Sequence, residues 1–380
     1  MGRVGRMIIA GVVLVGLVIA VLLVAFRGDD GQRSVRLPAL GDATGKIGGA
    51  AFLDNGDGTL GDGDSPIAGA DVYAGYFSTR FAGDEFHTTT AADGSFVLSL
   101  PEGSAQLTNL FVEVALATES PNGTPHRSAI SRRVAVTVGT RDALVSFTSL
   151  PARCGESPLP ACGAPLLPDL QPVLDGVSTT PDLPLPADSW SVDTITQPGR
   201  RLLRFSSVTA NVGDGPLHAI SNVAPGSTVP TTEVWQRVWY EGLGFSDRPL
   251  GTFLYDGGTG HRHIHVADFE EYRLLDAGGK VVATHQKVSF CLMDNLQLHD
   301  ATTPDVGVYR PSGECGSVEQ SINPGWTDYY AAPLFDQWID VTDLPPGSYS
   351  VEIVADPDDL ILEMDETNNS VRFPVIIPNP

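Results

Sequence analysis

After residue 28, no stretch of this chain holds an apolar period of 3.6 residues long enough for a convincing soluble helix. Apolar residues fall instead in short alternating runs, such as "FVEVALA" (111–117), "RRVAVTV" (132–138) and "GSYSVEIVAD" (347–356). Alternation sends successive side chains to opposite faces, so each run buries one face as a β-strand. Turn formers separate the runs, drawn from 41 glycines and 29 prolines. Many short strands punctuated in this way select an all-β architecture of sandwiches. At 380 residues there is room for two domains and a tail.

One segment departs from this pattern. "MIIAGVVLVGLVIAVLLVAF" (7–26) is 20 apolar residues, enough to cross a bilayer as a helix. Arg3 and Arg6 precede it, which sets the N-terminus in the cytoplasm. The run exceeds a usual signal-peptide core and no A-x-A-like site follows. Residues 1–28 therefore read as a single-pass signal anchor; cleavage, giving a secreted protein, is the alternative. Residues 29–45 lack periodicity and read as a flexible stalk. Everything beyond the anchor is expected outside the cytoplasm, where disulfides persist. The four cysteines include no CxxC pair, which argues against a zinc ribbon or a thioredoxin-type site. Two disulfides account for them, and of the three connectivities we take the sequential one, Cys154–Cys162 and Cys291–Cys315. A net charge of −23 repels nucleic acid and suits solubility or cationic partners.

Residues 46–150 read as a first β-sandwich module. A strand leads into an acidic, glycine-rich loop, a second strand, and a turn at Asp93-Gly94. Asp54, Asp57, Asp62 and Asp64 offer hard oxygen ligands suited to Ca²⁺. The same residues also suit a solvated turn, where Asp and Gly supply tight backbone geometry. The motifs Phe52-Leu53-Asp54-Asn55-Gly56-Asp57-Gly58, Pro66-Ile67-Ala68-Gly69-Ala70-Asp71-Val72 and Thr90-Ala91-Ala92-Asp93-Gly94-Ser95-Phe96 resemble the prealbumin-like B-type repeats of bacterial surface proteins. That resemblance implies a bacterial host, and calcium in the acidic loop. Residues 151–168 are proline-rich without helix or strand period and read as a linker stapled by cysteines. Residues 169–380 form the second β region.

His261, His263 and His265 are three of only eight histidines. On a strand, residues two apart share a face, so this spacing converges three imidazoles on a borderline metal such as copper, zinc, iron or nickel. Lysine is as scarce: only Lys46, Lys280 and Lys287 occur among 23 basic residues. An amine that has to lose its proton can be lysine but not arginine.

The motifs around these residues resemble the catalytic domain of lysyl oxidases. They are His261-Arg262-His263-Ile264-His265, Tyr272-Arg273-Leu274-Leu275-Asp276-Ala277, Lys287-Val288-Ser289-Phe290-Cys291-Leu292-Met293-Asp294, Pro324-Gly325-Trp326-Thr327-Asp328-Tyr329-Tyr330, and Gln337-Trp338-Ile339-Asp340-Val341-Thr342-Asp343. The resemblance implies a β-sandwich catalytic domain with copper on the three histidines. It also implies a lysine tyrosylquinone built from Lys287 and Tyr330, with Tyr329 one residue away as the alternative precursor. The implied activity is oxidative deamination of a primary amine, peptidyl lysine included, with dioxygen as acceptor and aldehyde, hydrogen peroxide and ammonia as products. Asp328, two before Tyr330, and His285, two before Lys287, are both open as the general base. The family has a histidine directly before the lysine, where this chain has Gln286. A non-enzymatic metal-binding or adhesive surface protein is the alternative.

Overall fold

The computed structural model describes residues 34–380 apart from 43, 58, 77–78, 81–85, 101–109, 120–124, 156–161, 176–184, 187–188, 224–227, 257–262, 286–288, 299–306 and 309–317. The side chains of 76, 79–80, 119, 125–130, 256, 263 and 307–308 are likewise outside the description. The apolar segment 7–26 lies beyond these residues. Among those described, no helix is long and apolar enough to cross a membrane. Among the described residues regular structure is predominantly β, as the alternation predicts, with a 3-10 turn at Glu241–Leu243.

In the first module, Lys46–Leu53 pairs antiparallel with Ser95–Ser99 and parallel with Ala143–Phe147. A second sheet joins Asp71–Tyr76, Leu110–Glu119 and Pro125–Val136. Inward residues of both sheets, including Ile47, Phe96 and Phe147 against Val72, Val112 and Val114, form one core. The expected turn is present, with Gly94 at φ 78°. Gly49 is required for another reason. A Cβ there would meet the Ala143 carbonyl oxygen at 2.0 Å and the Phe96 ring at 2.5 Å. Gly49→Ala is expected to push these strands apart and destabilise the protein by about 1–3 kcal/mol; an unchanged thermal midpoint would contradict this.

Described parts of two segments expected to be irregular lie against the sheets. Leu40, within the expected stalk, is buried, and Arg36 N donates to Asp93 O at 3.1 Å. In the expected linker, Ala152–Arg153 pairs with Gly244–Phe245, and Pro165–Leu166 with Trp239–Tyr240. Cys154 and Cys162 form the expected disulfide, with Cα atoms 5.6 Å apart. Cys291 is also disulfide-bonded, while its expected partner Cys315 lies outside the described residues.

The first module shares its core with the second region. Trp239 and Phe245 belong to the first module's apolar cluster. Beside them Arg237, fully buried, forms a two-pronged ion pair with Asp247 (2.7 and 2.9 Å) and donates to Thr118 Oγ1 at 2.5 Å. Its guanidinium lies 4.1 Å from the Phe245 ring centre.

Four sheets carry the second region. The largest runs in the order Ser289–Phe290, His263–Ala267, Gly244–Asp256, Thr231–Tyr240, Leu217–Ser221, Glu319–Ile322. A second joins Leu170–Pro172, Ser207–Asn211, Trp326–Tyr330 and Leu296–Gln297. A third joins Val281–His285, Glu270–Leu275, Gly347–Ala355 and Ser370–Ile377, and a smaller one includes Trp338–Asp340. Their inner faces meet in one core containing Phe205, Phe253, Phe269, Tyr272, Phe290 and Phe373. The stretch from the histidines to Leu275 breaks at Asp268, in left-handed backbone at φ 57°. The break sends Glu270–Leu275 into a different sheet from His263–Ala267.

Candidate active site

His263–Ala267 is an inner strand, paired with Gly244–Asp256 on one side and Ser289–Phe290 on the other. His265 is buried, and its Nδ1 shares a hydrogen bond of 2.9 Å with the Ser289 hydroxyl. A metal-ligating histidine is commonly oriented in this way, one ring nitrogen held by a hydrogen-bonding group while the other faces the ion. His263 opens the strand two positions earlier. Its side chain, all of His261, and Lys287 lie outside the described residues. The donor chemistry that is described, a buried and anchored imidazole in a strand of the expected spacing, fits a borderline metal such as copper.

Two residues after Ser289, the chain meets Tyr330. The Cys291 amide donates to the Tyr330 hydroxyl at 2.7 Å, and that hydroxyl donates to the Cys291 carbonyl at 2.8 Å. The Tyr330 ring stands edge-on to Phe290, with centroids 5.1 Å apart. Burial pushes the phenol well above the usual tyrosine range, and the Asp328 and Glu270 carboxylates push the same way. At neutral pH the phenol keeps its proton and can hold the Cys291 carbonyl. Strand alternation turns Tyr329 the other way, where its hydroxyl lies 3.5 Å from Ser206 Oγ.

The two candidates for the base separate. Asp328 is buried within Trp326–Tyr330, two residues from Tyr330 and so on its face. His285 stacks on Trp338, with centroids 4.4 Å apart, and sits opposite Tyr272 in register.

Sequence reasoning missed a buried polar network on this same face. Ser207 sits opposite Tyr330 and Thr209 opposite Asp328. Tyr272 OH is 2.8 Å from Ser207 Oγ and donates to Glu270 Oε2 at 2.9 Å. Thr209 donates to the other Glu270 oxygen, and Gln337 Nε2 donates to Tyr272 OH at 3.1 Å. The signal was present: Ser207 and Thr209, and Glu270 and Tyr272, are i, i+2 pairs that each put polar groups on one strand face. All five residues are buried.

The acidic loop of the first module uses its carboxylates locally. Asp54 Oδ1 accepts the amides of Gly56 and Asp57, Asp57 Oδ1 accepts that of Thr59, and Asp64 accepts those of Asn55 and Gly61. Asp62 contributes its backbone carbonyl, which accepts from Asn55 Nδ2. This supports the turn-forming reading. Among the described residues, three carboxylate oxygens gather within 4.8 Å elsewhere, at Asp356, Asp359 and Glu366.

The strands that hold His265, Ser289, Cys291 and Tyr330 fall in one segment that known proteins share. Residues 254–377 match the lysyl oxidase family. Lysyl oxidase homolog 1 of Homo sapiens is 40% identical over 141 residues, which is 36% of this chain and 23% of that protein. Protein-lysine 6-oxidase of Homo sapiens is 41% identical over 114 residues, 30% of this chain and 25% of that protein. Lysyl oxidase homolog 3A of Danio rerio is 33% identical over 175 residues, 46% of this chain and 19% of that protein. The chain thus spans a quarter or less of the length of these relatives. The matched segment holds the motifs from His261 to Asp343, and the first module is outside it.

Proposed function

We propose that this chain is a copper- and quinone-dependent amine oxidase, tethered to a bacterial membrane by residues 7–26 with its catalytic domain outside the cytoplasm. The observation that carries this reading is the short segment Ser289–Cys291. One end holds His265, the other holds Tyr330, and Lys287 lies two residues before it in sequence. His265 and Tyr330, 65 positions apart in the chain, are thereby held by the two ends of one three-residue segment. The names of the similar proteins favour a lysine side chain as substrate.

His261, His263 and His265 would hold the copper, and Lys287 and Tyr330 would furnish the quinone. When bound, these groups supply the two-electron oxidation of a primary amine, with dioxygen as the final acceptor and aldehyde, ammonia and hydrogen peroxide as products. The chain's own residues orient and insulate. Ser289 sets the His265 ring. Phe290 packs on the edge of Tyr330 and keeps water from that side. Asp328, buried on the Tyr330 face, is better placed than His285 to take a proton from substrate, because His285 is occupied against Trp338.

The test is a peptide map of the full chain after incubation with cupric ion in air, beside a redox-cycling quinone stain and peroxide release from a primary amine. A cross-linked Lys287–Tyr330 peptide with both signals is expected. Copper binding with neither cross-link nor peroxide would replace this reading with a metal-binding surface protein. Failure to bind copper would leave an adhesive or structural one.

A further inference from the structure

We propose that Gln320 is a positioning residue that fixes the distance between the copper-binding strand and the segment clasping Tyr330. The inference rests on the function proposed above.

The largest sheet has Ser289–Phe290 at one end of its path and Glu319–Ile322 at the other. Gln320 belongs to the second of these end strands, opposite Ala219, and is fully buried. Its side chain nevertheless reaches the opposite end of the path. Nε2 donates to the Ile264 carbonyl at 2.8 Å, and Oε1 accepts the Leu292 amide at 3.0 Å. The sheet therefore curls on itself, and a side-chain amide bridges its seam.

The two backbone groups it captures have a particular address. Ile264 lies between His263 and His265. Leu292 directly follows Cys291, whose amide and carbonyl hold the Tyr330 hydroxyl. One planar amide, donating on one side and accepting on the other, thus ties the histidine strand to the tyrosine clasp. The residue type follows from the task. Methionine has the length without either polar group, glutamate keeps the acceptor and loses the donor, and asparagine is one carbon shorter. The strand pairing of Val266 with Phe290 and Ala267 with Ser289 joins the same two segments beyond His265. Gln320 supplies the connection on the near side, where the histidines are. A shift here would move ligands and phenol relative to each other without touching either.

The experiment uses the full chain as Gln320→Met and Gln320→Glu, with Ser289→Ala as the variant that disturbs His265 from its other side. Cupric affinity is measured by chelator competition, the cupric EPR spectrum is recorded, and the yield of Lys287–Tyr330 cross-link is read by peptide map, all well below the unfolding midpoint. Gln320→Met is expected to weaken copper binding by about tenfold, the low end for disturbing a residue behind a metal ligand, and to change the EPR hyperfine pattern and lower the cross-link yield. Gln320→Glu is expected to fall between it and the wild type. Should the methionine variant fail to fold, the glutamate variant carries the same test. A purely structural role would lower the unfolding midpoint and leave the spectrum and affinity of folded protein unchanged, and that result in both Gln320 variants overturns the proposal alone. A wild-type chain that binds no copper overturns the proposed function and this inference with it.

Discussion

Replacing Tyr330 with phenylalanine is expected to abolish quinone staining and amine-dependent peroxide release while leaving copper binding intact. Under the proposed function the phenol would furnish the quinone ring, and phenylalanine has no oxygen to give. The same change removes both hydrogen bonds to Cys291, each worth about 1 kcal/mol net, so a modest loss of stability should accompany the loss of activity. Tyr329→Phe is the matched control. Its hydroxyl lies 3.5 Å from Ser206 Oγ, away from the Cys291 clasp, so activity should survive. Activity that vanished in Tyr329→Phe and survived in Tyr330→Phe would reverse the assignment. Quinone signal in the double variant would remove both tyrosines from consideration.

The largest loss of stability is expected at Arg237. Its guanidinium is fully buried, paired by two prongs to Asp247, donating to Thr118 across the module boundary, and stacked on Phe245. Arg237→Met keeps much of the apolar bulk but leaves Asp247, itself 1% exposed, with Arg153 as its remaining described ion-pair partner. Breaking a buried pair by removing one side costs about 3–5 kcal/mol. For domains of this size each kcal/mol moves the midpoint by about 2–4 °C, so a drop of about 10 °C is expected. Arg237→Lys should recover only part of it, because an ammonium cannot supply the two-pronged geometry. A shift of less than a degree in Arg237→Met, read by calorimetry, would show that the pair contributes little.

Much of the fold was legible because alternation is a direct consequence of half-buried strands. "GSYSVEIVAD" became the strand Gly347–Ala355, paired with Ser370–Ile377. The turn at Asp93-Gly94 was legible because it needs the left-handed backbone that glycine supplies. What stayed hidden depends on partners distant in sequence. The i, i+2 spacing of Ser207 and Thr209 shows that they share a face, but not that this face turns inward to Glu270 and Tyr272. The break at Asp268 was hidden because aspartate takes positive φ too seldom to announce it. "PARC" and the stretch before Leu167 were read as linker because strands of two residues are too short to show a period. In the site, Asp328 and Tyr330 were legible as an i, i+2 pair, whereas Gln320 gave no hint of itself. Its role is visible only when the two ends of a sheet are seen to meet.

Trp239 and Phe245 give the two halves of this molecule a common fate. A fragment starting at residue 169 would turn two large aromatic rings out to water, beside a buried arginine stripped of its threonine. Recombination that moved the oxidase-like half onto a different carrier would inherit that sticky scar. The partners are better understood as one inseparable body than as cargo on a replaceable post.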